Sequence, residues 1–62
     1  MTLADRNALV TRTLRHIELA FPLIGSVPLI ELTCRALARD HDLCVTPDEV
    51  TRVLAEEAGF VH

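Results

Sequence analysis

The stretch from Pro28 to Asp40 most constrains what this chain can fold into. Between Leu29 and Ala38 the only charged residues are Glu31 and Arg35, and Arg39 follows directly. Spaced i, i+4, i+8, these three make one narrow polar stripe on a helix. Leu29, Ile30, Leu32, Cys34, Ala36, Leu37 and Ala38 spread over most of the remaining circumference. A helix of this kind needs cover on several sides. The spacing therefore predicts a helix over 28–40 at the centre of a compact all-α three-helix module, with the segments before and after packed on it. Within it Glu31 stands four residues ahead of Arg35, the favourable order for an ion pair worth about 0.3–0.5 kcal/mol.

Both flanking segments carry helix punctuation. Thr2 and Asp5 have the spacing of a capping box, and Leu3, Val10, Leu14, Ile17 and Phe21 then share one face. Pro22 biases Phe21 away from helical geometry, so the first helix is expected over 3–21. In the last segment Thr46 caps, Pro47 takes the first helical position and Glu49 the third, with Val45 and Val50 placed to staple across the cap. Ala58-Gly59-Phe60 reads as a glycine stop with Phe60 packing back, which gives a helix over 47–58. Its inner face would be Val50, Val53, Leu54 and Ala58. The shared core is expected to draw on Leu14, Ile17, Ile30, Leu37, Val50 and Leu54.

The connections differ in kind. Phe21-Pro22-Leu23-Ile24-Gly25-Ser26-Val27-Pro28 carries turn formers, yet Leu23, Ile24 and Val27 call for burial. Ser26 is the expected cap of the central helix. Asp40 to Val45 forms the second connection, with room for a short extended piece at 43–45. With Leu9 and Leu19, which lie off the stripe of the first helix, Leu23, Ile24 and Val27 have no place in a minimal three-helix core. Together they make a candidate self-association or partner surface, and a homodimer is expected.

Sixty-two residues make one domain, 1–62, near the lower limit for folding alone. The aliphatic composition, with ten Leu and seven Ala but no Trp or Tyr, favours helices. The net charge of −3 gives the whole chain no pull toward nucleic acid or an anionic membrane. It is unevenly spread, with +1 over 1–21 and −3 over 43–62, and every base is Arg. The uncharged run Leu19 to Ile30 is too short to span a bilayer and is broken by Pro22, Gly25 and Pro28, so no membrane role is expected. Two cysteines, Cys34 and Cys44, and no signal-peptide pattern point to a reduced, cytoplasmic setting.

No catalytic motif appears. The chain has no glycine-rich phosphate loop, no paired-histidine zinc helix and no nucleophile elbow, so a non-enzymatic role without a cofactor is expected. Asp40 and Asp42 echo a calcium loop, but Val45 stands where that loop needs Gly and Thr51 where it needs Glu. Cys34, His41 and Cys44 lack the close cysteine spacing of a zinc site. The plainer expectation is Cys34 in the core, Cys44 half-buried in the turn, and His16, His41 and His62 at the surface.

Val50-Thr51-Arg52-Val53-Leu54-Ala55-Glu56-Glu57-Ala58-Gly59-Phe60-Val61 resembles the recognition helix of helix-turn-helix and winged-helix regulators, and Glu31-Leu32 through Leu37-Ala38 resembles the scaffold helix before it. The likeness covers about residues 29–61 and implies a dimeric DNA-binding transcription regulator. On that likeness Asp48, Thr51, Arg52 and Ala55 would face the major groove, with Arg35 or Arg39 near phosphates. The last helix, however, carries Asp48, Glu49, Glu56 and Glu57 against Arg52 alone, and carboxylates oppose phosphate binding. The second expectation is therefore a non-enzymatic protein-interaction module, such as a small phage or bacterial adaptor or inhibitor, docking through its apolar 19–27 region.

Overall fold

The structure, a computed structural model, describes residues 1–57. Three helices follow one another, α1 (Leu3–Ala20), α2 (Ser26–His41) and α3 (Pro47–Glu57), and each packs on the other two. The all-α, three-helix architecture expected from the sequence is the one observed. Among the described residues there is no strand. The radius of gyration is 11.0 Å.

Helix α1 begins where its capping box sets it. Asp5 N–H donates to Thr2 Oγ1 at 3.1 Å, and Thr2 N–H donates back to Asp5 Oδ2 at 3.2 Å. Two of the amides that a helix start leaves unpaired are thereby satisfied. The helix ends at Ala20, and Phe21, ahead of Pro22, has left the helical region with φ −132°, ψ 75°. Its buried stripe is Val10, Leu14 and Ile17; the two ends of the expected stripe, Leu3 and Phe21, are exposed.

Helix α2 starts two residues earlier than expected, and Ser26 is not its cap. Gly25 holds the cap position without a side-chain hydrogen bond, Leu29 N–H closes the first turn on Gly25 O at 3.0 Å, and Ser26 is the first helical residue. Pro28 then sits in the first turn, where no amide is needed. The preceding turn is tight, with Ile24 N–H bonded to Phe21 O at 3.0 Å. At the other end Asp42 takes the left-handed conformation, φ 51°, ψ 36°, and the Leu43 amide turns back to Leu37 O at 3.1 Å.

The core is Val10, Leu14, Ile17, Leu29, Leu37, Val45, Val50 and Val53. Two residues expected there, Ile30 and Leu54, pack only partly buried against it. The buried line of α2 runs Leu29, Thr33, Leu37, so Ile30 falls on its flank. Thr33 is fully buried, its hydroxyl donating to Leu29 O at 2.7 Å. Ala38 is exposed, so α2 is covered on one face and two flanks rather than all round.

Residues 42–46 run from α2 into α3. Leu43 is half-buried, Cys44 exposed and Val45 buried, the alternation of an extended segment. Cys44 is thus out in solvent, not half-buried, because the staple position belongs to Val45. Thr46 Oγ1 accepts from Glu49 N–H at 3.2 Å, and Val50, fully buried, completes the staple. The expected glycine stop at Gly59, the packing of Phe60 and the place of Ala58 lie outside the described residues.

Candidate functional site

Three surfaces carry the residues singled out by sequence. The first is the corner where α1 turns into α2. Leu23 is 99% exposed, Leu19 82%, Val27 68% and Phe21 56%. Beside them lies a shallow apolar cleft of about 390 Å³ lined by Ala20, Phe21, Pro22, Leu23, Ile24 and Leu32. The corner is the five-residue turn between the two helices, closed by the Ile24 N–H bond to Phe21 O. Of the five residues expected here, Leu9 and Ile24 instead pack against the core, which removes them from the exposed set. Phe21, assigned to the first helix's core face by its spacing, joins it.

The second surface is the seam between α1 and α2. One cleft of about 300 Å³ is lined by Leu9, Arg12, Thr13, His16, Ile17, Ala36, Arg39, Asp40 and His41. A second of about 310 Å³ continues it, lined by Ile17, Phe21, Leu32, Arg35, Ala36 and Arg39. Arg39 Nε pairs with Asp40 Oδ1 at 3.1 Å, with both side chains more than half exposed, a contact that adds little stability. The expected Glu31–Arg35 pair is not formed among the described residues. Arg35 instead lines the seam, on the flank of α2 that faces α1.

The outer face of α3 is the third. Asp48, Thr51, Arg52, Ala55 and Glu56 are exposed, as expected. The Thr51 hydroxyl donates to Pro47 O at 2.8 Å, so its hydrogen is engaged within the helix. Of the four residues assigned to DNA, Arg35 and Arg39 share the α1/α2 seam, while Thr51 and Arg52 stand on α3; neither seam cleft includes them.

A polar clamp that spacing did not reveal ties the start of α1 to the start of α3. Arg6 Nε and Nη2 donate to Glu49 Oε2 and Oε1 at 2.6 and 3.0 Å, and Nη2 also donates to Cys44 O at 2.7 Å. A two-pronged guanidinium–carboxylate fork is the strong form of an ion pair. The hydrogen bond from Arg6 holds the Glu49 carboxyl below its usual range, against the opposing effect of burial, and Glu49 raises Arg6 in turn. Glu49 reads in sequence as the returning half of a cap, and only the fold brings Arg6 within reach. Burial, with Cys44 nearby, pushes the Cys34 thiol up. Both cysteines are free.

Among the described residues no group of three or more His, Cys, Asp or Glu is placed to hold a metal ion. No helix there is long and apolar enough to cross a membrane. The chain matches no family model, no curated protein and no solved structure.

Proposed function

We propose that this chain is a non-enzymatic protein-interaction module that docks through the apolar corner between α1 and α2, in the first place onto a second copy of itself. The observation that carries this is the exposure of Leu19, Phe21, Leu23 and Val27 side by side with an apolar cleft. Large aliphatic side chains in one contiguous patch mark contact surfaces on soluble proteins. Pairing two such corners about a two-fold axis covers both copies at once. The patch amounts to a few hundred Å² per copy, less than the roughly 800 Å² per partner of a standard stable interface, so association in the micromolar range is expected.

Light scattering over a concentration series tests this. The mass should rise above that of the 6.9 kDa chain at high micromolar concentration. Leu23→Glu, at a site with no core contact to lose, should return it to monomer without changing its helicity. A strict monomer at every concentration, indifferent to Leu23→Glu, would remove the proposal.

The helix-turn-helix alternative, a dimeric regulator reading DNA with α3, is favoured by one observation: the outer face of α3 leaves Thr51, Arg52 and Ala55 exposed. Asp48 and Glu56 share that face and oppose phosphate. Under this alternative Arg52→Ala abolishes sequence preference on duplex DNA; retained preference excludes α3 as the reading element.

A further inference from the structure

We infer that the α1/α2 seam, which meets the apolar corner at Phe21 and Leu32 and does not include the outer face of α3, is a binding cleft for single-stranded nucleic acid. Three of the chain's six arginines, Arg12, Arg35 and Arg39, line it, with His16 and His41. Among the described residues, Asp40 is the one acid that does so. With the histidines neutral, three positive charges less one give the seam a local charge of +2 in a chain of net −3. Local charge decides here. The molecule measures 28 × 27 × 18 Å, and at physiological salt charges more than about 8 Å apart are largely screened from one another.

The shape selects among anions. The two clefts share Ile17, Ala36 and Arg39, so they form one seam running along α1 from Leu9 to Phe21. At 1.5 Å per residue that is about 18 Å, long for a single phosphate and suited to a repeating one. Guanidinium forks match phosphate oxygens, and among the described residues Arg12 and Arg35 have no ion-pair partner to give up. Reading a duplex through its major groove takes a protruding helix, whereas this surface is a cleft between two helices. Its floor of Leu9, Ile17, Ala36 and Leu32 is apolar, and the half-exposed Phe21 ring at one end offers a base a stacking platform beside Arg35.

The test is fluorescence anisotropy of the full chain with a labelled mixed-sequence DNA oligonucleotide, its duplex, and an acidic polyglutamate peptide, across a salt series. The single strand should bind at low salt and more tightly than the duplex. Its log K should fall with log salt at a slope near −2, from about 0.7 per phosphate neutralised by each of three arginines. Arg12→Ala, Arg35→Ala and Arg39→Ala should each flatten that slope by close to one arginine's share, and Arg52→Ala should leave it unchanged. Phe21→Ala should weaken the strand more than the duplex. All of these positions are solvent-facing, and circular dichroism checks that each variant folds. No binding at low salt, a duplex bound as tightly as the strand, loss of binding only with Arg52→Ala, or polyglutamate bound through the same arginines would each overturn the inference. Leu23→Glu separates the two surfaces, since it should abolish self-association and leave strand binding intact.

Discussion

At the scale of single residues, full burial gives the firmest expectations. Leu37 is 0% exposed, in a core cluster to which all three helices contribute. Leu37→Ala should cost about 2–5 kcal/mol, against a total of roughly 3–9 kcal/mol for a chain this size. An unchanged denaturation curve would show that α2 is not the element the core is built on. Thr33 is as deeply buried, but its hydroxyl bonds only to the Leu29 carbonyl one turn back. Thr33→Val leaves no orphaned partner and should change stability by less than about 1 kcal/mol; a severe loss would mean the hydroxyl does more than satisfy itself. Glu49 gives a pH dependence with a definite sign. Its carboxyl is lowered in the folded state from an ordinary value of 4.5. The fork with Arg6 is therefore fully stabilising above that ordinary value, and its contribution is lost as pH falls through the folded one. Glu49→Gln should lower the melting temperature at neutral pH and flatten the acid limb of stability. An acid limb identical in the variant would show that the fork is not what titrates.

Among the elements, both starts that rest on a side-chain cap were legible in the sequence. Thr2 with Asp5, and Thr46 with Pro47, fix their helix starts by local chemistry that a few adjacent residues express completely. The start of α2 was not legible. Ser26 is the better cap by type, yet Gly25 takes the position, because the Pro22 turn brings the chain round early and Pro28 fits the third helical place as well as the first. Which apolar residues of α2 are buried was also out of reach, since eight of them crowd its surface and only the directions of α1 and α3 choose Leu29 and Leu37 over Ile30 and Ala38. The left-handed Asp42 that ends α2 is an element-scale weakness. A non-glycine residue there carries about 1–2 kcal/mol of strain that glycine lacks, offset by about 0.5–1 kcal/mol of extra chain entropy. Asp42→Gly should therefore raise stability by up to about 1 kcal/mol; a clear loss would place a stabilising contact on the Asp42 side chain.

For the whole molecule, the surplus of apolar residues around 19–27 was visible before the fold, but not which of them the fold would absorb. Leu9 and Ile24 pack inward because their helix and turn happen to face the core, while Phe21, assigned to the core by its spacing, is left outside with Leu19, Leu23 and Val27. The basic seam was not visible at all, since Arg12 and Arg35 are far apart in sequence and share a surface only through the packing of α1 on α2. The chain thus presents an apolar corner, a cationic seam that adjoins it at Phe21 and Leu32, and an acidic last helix around one small core. The corner as a docking surface is the central claim, and backbone amide NMR spectra followed on dilution test it most directly. Shift changes confined to the stretch from Leu19 to Val27, and lost in Leu23→Glu, are the expected result; spectra that do not change on dilution, or that change only along α3, would contradict it.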